Sequence, residues 1–324
     1  MFSKIIGTGS YVPEKTVTND ELASIMDTSD EWIRTRTGIG ERHFFEASEK
    51  EKTITAALRA SERALCEAEK KGLRRDEIDL VIAATCSPDY AFPATACVLS
   101  DRLSIGPAAA FDLSLACTGF LAAFSTASAY LASGISRNAL VVGVDVMSKF
   151  LDMKDRSTAI LFGDGAGALV LSADERFDDG CDSGVIRSIL RSDGSRAGVL
   201  SCESLYKNEN AGGELRMEGR PVFEFAVREV PKLIKELCEG MDEAPKLYVL
   251  HQANRRIIEA VAKRLSEPLD KFPGNIEHYA NTTAATIPIL LDELMRGGSL
   301  CSGDEIVMSG FGAGLSLGAI LYRI

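Results

Sequence analysis

Three residues of this 324-residue chain could together carry acyl transfer through a thioester: Cys117, His251 and Asn281. A cysteine thiolate is the nucleophile such chemistry needs. A neutral histidine and an asparagine amide can donate hydrogen bonds to an oxyanion without being charged themselves. Cys117 lies in Asp112-Leu-Ser-Leu-Ala-Cys-Thr-Gly-Phe, just ahead of an uncharged segment that reads as helix. A thiol there feels the positive end of the helix dipole and orphan N–H groups, so the sequence predicts a pKa below the free value of about 8.5. His251 ends a predicted strand in Leu247-Tyr-Val-Leu-His-Gln-Ala-Asn, at the carboxyl end where α/β folds place chemistry. Asn281, in Tyr279-Ala-Asn-Thr-Thr-Ala-Ala-Thr, sits at what reads as another strand-to-helix junction. Taken singly, each has a plainer reading: a buried structural thiol, a strand-end histidine and a helix cap. His43, in a charged segment, reads as a surface residue and His278 as structural.

The remaining signals mostly exclude. Eight cysteines include no C-x-x-C pair, so a zinc site or thioredoxin-like pair has no support and no metal is expected. Gly163-x-Gly165-x-x-Ala168 fits a dinucleotide fingerprint, but a strand follows it rather than a helix. Gly7-x-Gly9 runs into Pro13, and Gly310-Phe-Gly-Ala-Gly also feeds a strand, so close backbone approach to a substrate is the better reading of these glycines. A net charge of −11 disfavours sequence-independent nucleic-acid binding, which depends on neutralising phosphates. Scattered thiols and the short apolar start predict a reduced, cytoplasmic protein without a secretory leader. Residues 113–136 carry no charge, yet Ser, Thr, Gly and Ala make up much of them, which predicts a buried core helix and not a membrane span.

The elements that must position these residues follow an α/β rhythm. Strands are expected at Ile78–Thr85, Ala139–Val146, Gly167–Ser172, Lys246–His251, Glu305–Met308 and Ser316–Tyr322, and helices at Thr53–Lys71, Thr118–Ser133, Val222–Glu239, Arg255–Ser266 and Ala284–Arg296. The Asp/Gly/Ser-rich stretch 174–184 divides the chain into halves, 1–174 with the cysteine and 175–324 with the histidine and asparagine. In each half a strand precedes the candidate residue by about 35 residues, another follows, and a Gly-rich turn feeds a last apolar strand. A period of about 150 residues suggests a duplicated α/β unit.

Across essentially the whole chain the sequence resembles the β-ketoacyl-acyl-carrier-protein synthase III enzymes of the thiolase superfamily. The resemblance runs through Thr28-Ser-Asp-Glu-Trp-Ile, Thr35-Arg-Thr-Gly-Ile, Ala91-Phe-Pro-Ala-Thr-Ala-Cys and Ala116-Cys-Thr-Gly-Phe. It continues through Phe162-Gly-Asp-Gly-Ala-Gly-Ala, Met217-Glu-Gly-Arg-Pro-Val-Phe, His251-Gln-Ala-Asn, Asn281-Thr-Thr-Ala-Ala-Thr-Ile-Pro and Gly310-Phe-Gly-Ala-Gly. It implies a thiolase-like five-layered αβαβα fold from two duplicated halves. It implies Cys117 as acyl acceptor, His251 and Asn281 as its partners, and an oxyanion site at the backbone N–H groups of Cys117 and Ala313. An Asn as third residue implies the CoA-primed initiating branch, since elongating synthases resemble Cys-His-His. The reaction implied is decarboxylative condensation of an acyl-CoA primer with malonyl-acyl carrier protein, with no cofactor beyond these substrates.

By the same resemblance Trp32, Arg36, Arg156 and Asn254 contact CoA, and Phe92, Leu215, Met217 and Phe223 line the acyl pocket and tunnel. Phe92 would reach across a homodimer interface. An acidic carrier protein would dock on Arg256, Lys263 and Arg264, which share one helical face. Family members often carry a lysine where this chain has Glu224, which redraws one edge of that patch. A papain-like protease also orders Cys, His and Asn, but places its cysteine near the mature N-terminus in a different motif. The serious alternative is a relative in specialised metabolism using the same triad on another acceptor.

Overall fold

The computed structural model describes residues 3–178, 180, 182–203 and 213–324. Apolar runs become strands buried on both faces, because helices cover each side of the sheets. A five-stranded sheet has the order Lys4–Tyr11, Asp164–Ser172, Asn138–Val146, Leu80–Ala84 and Ala109–Leu113. A four-stranded sheet has the order Leu247–Leu250, Glu305–Gly312, Ser316–Arg323 and Gly184–Ser192.

Alternation along the strands sorts the core into three apolar layers. Leu80, Ile82 and Ala84 face the middle of the molecule, while Val81 and Ala83 face outward. In the second sheet Ile306 and Met308 face the middle and Val307 faces outward. Helices Gly119–Ala132 and Thr286–Arg296 fill the middle layer between the sheets. Helix Lys52–Lys70 covers the outer face of the first sheet, and helices Gly219–Leu237 and Arg255–Leu265 cover that of the second. The arrangement is therefore the five-layered αβαβα thiolase fold, each half supplying one sheet and one central helix. The strands of the first sheet all precede Ala173 and those of the second all follow Ser183; two small hairpin-like pairs, Thr16–Thr18 with Glu41–His43 and Leu200–Cys202 with Leu215–Met217, stand apart.

The uncharged segment 113–136 forms the 14-residue helix Gly119–Ala132 in that central layer. Among the described residues no helix is long and apolar enough to cross a membrane.

Strand Lys4–Tyr11 has no counterpart in the sequence expectations, because its glycines read as a turn. They serve a close approach instead. A Cβ on Gly7 would lie 2.1 Å from the carbonyl oxygen of Ala64, so the strand can touch the backbone of helix Lys52–Lys70. Edge strands Ala109–Leu113 and Gly184–Ser192 were also not expected; neither alternates cleanly between apolar and polar. Helices Asp30–Thr37 and Thr95–Arg102 are likewise additional to those expectations.

Candidate active site

The site forms where the two central helices begin. Cys117 lies in a 3-10 turn, Ala116–Thr118, that runs directly into helix Gly119–Ala132. Asn281 follows the short helix Ile276–Tyr279 and not the expected strand, and leads, through a similar turn at Thr283–Ala285, into helix Thr286–Arg296. His251 is the first residue beyond strand Leu247–Leu250, and its N–H still donates to Ser309 O (2.8 Å) as the pairing with Glu305–Gly312 runs out.

All three line one cavity of about 130 Å3, with Met217, Phe223, Asn254 and Gly312 among the other walls. Gly312 is small for a reason: a Cβ there would sit 3.0 Å from both Cβ and N of Cys117. The glycines of this turn thus permit close approach to the nucleophile, where the sequence suggested approach to a substrate. Backbone strain gathers at the same place. Of seven non-glycine residues with positive φ among the described residues, Ala116, Ala280 and Thr283 flank Cys117 or Asn281. Such conformations cost about 1 kcal/mol or more each and persist where surrounding structure holds them.

The hydrogen bonds define what each group presents to the cavity. Asn281 Oδ1 accepts from the Thr283 N–H (2.8 Å), so the amide NH2 is left as donor. His251 Nδ1 lies 2.6 Å from Thr286 Oγ1, and Nε2 is buried with no partner among the described residues. The imidazole packs edge-on against Phe311, with centroids 5.6 Å apart. Burial pushes its pKa down to about 3, so at neutral pH the ring is uncharged, as its expected role requires.

Cys117 departs from the sequence expectation. Burial pushes the thiol up, and the Asp145 carboxylate adds to the shift. The helix terminus is present, but desolvation outweighs it, and the substrate-free site holds a thiol. Asp145 was not singled out in the sequence, although an acid inside Ala139-Leu-Val-Val-Gly-Val-Asp is a signal for a buried carboxylate. It ties the two halves together. Oδ1 accepts from Cys86 N (2.8 Å) and Ser87 Oγ (3.1 Å), and Oδ2 from the hydroxyl of Thr283 and from Ala284 N.

A second, larger cavity of about 700 Å3 opens on the other side of Cys117. Leu215, Met147, Phe150 and Tyr90 line it, as does Ala313. Cys86 and Cys202 also reach it. The seven cysteines among the described residues are free, and Cys181 lies outside them. Phe92 is 85% exposed two residues beyond Tyr90.

At the outer mouth, Ser29 caps helix Asp30–Thr37 and positions Trp32. Both Arg36 and Arg156 place Cζ 4.7 Å from the centroid of the Trp32 ring. Arg156 also donates to Asp27 O (2.7 Å). Asn254 caps helix Arg255–Leu265 and donates to Arg36 O (3.1 Å), joining mouth to cavity. Arg256 lies over the Phe223 ring, 5.6 Å from its centroid. Lys263 and Arg264 are exposed about 10 Å further along the helix, at 1.5 Å per residue. Glu224 pairs with Arg220 at 2.8 Å, which offsets its charge locally.

Comparison with known proteins identifies the family. Residues 111–194 match the family model described as 3-oxoacyl-[acyl-carrier-protein (ACP)] synthase III, and residues 242–324 match that for its C-terminal part. The β-ketoacyl-[acyl-carrier-protein] synthase III of Clostridium acetobutylicum is 43% identical over 99% of this chain and 98% of its own. The crystal structure of 3-oxoacyl-[acyl-carrier-protein] synthase III from Aquifex aeolicus superposes with a TM-score of 0.90 at 41% identity, covering 99% of this chain and 100% of that one. The priming β-ketosynthase of the R1128 polyketide pathway superposes equally well (TM-score 0.90) at 35% identity, over 99% and 96% of the two chains. The chain belongs to the β-ketoacyl-acyl-carrier-protein synthase III family of condensing acyltransferases.

Proposed function

We propose that this enzyme condenses an acyl-CoA primer with malonyl-acyl carrier protein, with loss of CO2, to give a 3-oxoacyl-acyl carrier protein that initiates fatty acid synthesis. The observation that carries the reading is the convergence of Cys117, the unpartnered His251 Nε2 and the Asn281 amide on one buried cavity. Cys117 attacks the acyl-CoA thioester, and backbone N–H groups of Cys117 and Ala313 hold the oxyanion. The proton released by the thiol is the one the departing CoA needs, so this half-reaction balances without an outside acid. Malonyl-carrier protein then enters. His251 and Asn281 donate to its thioester oxygen as CO2 leaves, and the enolate carbon attacks acyl-Cys117. Decarboxylation itself supplies the carbanion, so the chemistry calls for no metal or redox cofactor.

The primer's acyl chain occupies the larger cavity lined by Leu215, with Met217 and Phe223 guarding the pantetheine tunnel. CoA's adenine stacks on Trp32, beside Asn254 at the tunnel entrance. Arg36 and Arg156 cover that ring in the free enzyme, so the base displaces a guanidinium, which is then free to meet phosphate. The active form is a cytoplasmic homodimer of two-half subunits (1–174 and 175–324). The exposed Phe92 and the open edge of strand Ala109–Leu113, which among the described residues pairs only with Leu80–Ala84, support a second copy closing the acyl cavity. Arg256, Lys263 and Arg264 receive the acidic carrier protein.

Intact mass after incubation with a panel of acyl-CoAs tests the first half-reaction. An acyl adduct mapping to Cys117, and not to Cys86 or Cys202, is the expected result. Likeness to the R1128 priming enzyme favours one second reading, the same cysteine chemistry serving a specialised pathway. Acyl transfer without CO2 release from malonyl-carrier protein would select an enzyme with another acceptor.

A further inference from the structure

Two walls of the larger cavity are held by unlike means. One, with Met147 and Phe150, follows strand Asn138–Val146. It is fixed to the first sheet by Ser148, whose N–H and hydroxyl both donate to the Asp164 carboxylate (2.8 and 2.6 Å). The other, with Cys86, Pro88, Tyr90 and Ala91, leaves strand Leu80–Ala84. As far as Ser87 it is tied to Asp145 and to the Val146 N–H. Over residues 88–93 no backbone–backbone hydrogen bond holds it among the described residues, so side chains must place it. Asp89 does most of this. Its Oδ2 accepts from the Ile54 N–H (2.8 Å), in the first turn of helix Lys52–Lys70, and its Oδ1 from Lys149 Nζ (2.6 Å). The Tyr90 hydroxyl adds a bond to Glu51 (2.6 Å).

Lys149, between Met147 and Phe150 in sequence, reaches behind the lining to this second wall. Its ammonium has three protons and three acceptors: Thr53 Oγ1 (2.8 Å), Ser87 O (2.9 Å) and Asp89 Oδ1. The side chains of Lys149 and Asp89 are only 18% and 9% exposed, so neither charge can turn to water if the other is removed. We propose that Lys149 is a positioning residue that sets the width of the acyl cavity, and with it the chain length of the primer, by pinning the wall at 88–91 to the wall at 147–150. The inference rests on the acyl-CoA reading above, which puts the primer's chain in this cavity. Met147, Phe150 and Leu215 supply the apolar surface, while the ion pair sets how far the loop can stand back from it.

Lys149→Met removes the charge and keeps most of the side chain's length. Acylation of Cys117 by acetyl-, butyryl-, hexanoyl- and octanoyl-CoA in competition, read by intact mass, should turn toward longer primers. The octanoyl-to-acetyl ratio should rise about tenfold or more, the scale on which an apolar pocket sorts added methylenes. Because methionine leaves Asp89 buried and unpaired, the double variant Asp89→Asn/Lys149→Met, which carries neither charge, is measured beside it and should show the same turn. A loss shared evenly by all primers, or an unchanged ratio in the double variant, would overturn the proposal and leave the pair a purely structural role. Alkyl methanethiosulfonates from ethyl to octyl need no CoA site and read the cavity directly: the longest chain that labels Cys117 should lengthen in both variants, and an unchanged limit counts equally against the clamp. If wild-type Cys117 accepts no acyl group from any CoA, the acyl-CoA reading fails, and the thiosulfonate limit alone decides the role of Lys149.

Discussion

The floor and the mouth of this pocket are built on opposite plans. At the floor the reacting groups are buried, uncharged and fixed from both halves: Asn281 by the Thr283 amide, His251 by Thr286, and the Cys117 turn by the backbone of Gly312. Positive-φ residues flank two of them, so the fold holds strain there. At the mouth the groups are charged, exposed or half-exposed, and occupied with one another. Two guanidiniums cover Trp32, Asn254 bonds a backbone carbonyl, and Arg256 covers Phe223. On the proposed function the floor is ready before substrate arrives, whereas a mouth that takes hold of CoA must let go of internal contacts. Changes at the floor should therefore strike kcat, and changes at the mouth KM.

The largest effect tests whether the floor works as one unit. Cys117→Ala should abolish acyl transfer, leaving no covalent adduct by intact mass with any acyl-CoA; an adduct of undiminished yield would move the nucleophile elsewhere. Asn281→Ala should separate the half-reactions. Acylation should survive within a few-fold, while condensation falls about 100-fold, the usual cost of losing one donor to a developing oxyanion. Equal losses in both would make Asn281 a strut for the turn that carries it.

The buried histidine makes a third prediction, on stability. Its folded pKa of about 3 lies below the unfolded value near 6.5, so the unfolded chain binds the extra proton in between. The stabilisation is present above about pH 6.5 and is lost as pH falls toward 3. Between pH 6.5 and 5 the wild type should lose about 1–2 kcal/mol more than a His251→Gln variant, read from urea midpoints. Parallel losses would mean that the imidazole charges freely, contrary to a dry floor.

These two regions were not equally legible in the sequence. The floor was visible because each of its residues stands a few positions ahead of a helix, and such junctions leave marks: Ala116-Cys-Thr-Gly, His251-Gln-Ala-Asn and Asn281-Thr-Thr-Ala. The six expected strands and five expected helices all formed, with ends displaced by a few residues, because strands buried on both faces read as unbroken apolar runs. Burial was not legible. The sequence placed Cys117 at a helix terminus and predicted a thiolate, but the depth of the site and the approach of Asp145 depend on chain segments far apart in sequence. Thr286 was equally hidden, since a threonine in a first helical turn is ordinary until a histidine 35 positions earlier is seen against it. Strand Lys4–Tyr11 escaped because Gly7 and Gly9 interrupt Ile5, Ile6 and Thr8, and Ala109–Leu113 because it has no β-branched residue to mark it.

At the mouth the effects should be smaller and confined to binding. Trp32→Ala should raise KM for acyl-CoA about tenfold with kcat within about twofold, base stacking on an aromatic ring being worth about 1–3 kcal/mol. Unchanged KM would mean that the guanidiniums never yield their place on the ring.

The smallest effect separates the two ends of helix Arg255–Leu265. Lys263 and Arg264 are exposed two turns beyond Arg256, so in the proposed docking they would act on the carrier protein through its negative charge alone. Each such contact contributes less than about 1 kcal/mol, and salt screens it over about 10 Å at 0.1 M. Reversing both charges should raise KM for malonyl-carrier protein several-fold at low ionic strength, fade by about 0.5 M salt, and leave acylation by acyl-CoA untouched. Arg256→Ala should behave differently, because its guanidinium packs on Phe223 at the tunnel wall. It should weaken both substrates and keep part of its effect at high salt, where a purely electrostatic contact would vanish. If the two variants prove alike, Arg256 belongs to the docking surface alone, and the boundary of the mouth lies inside Phe223.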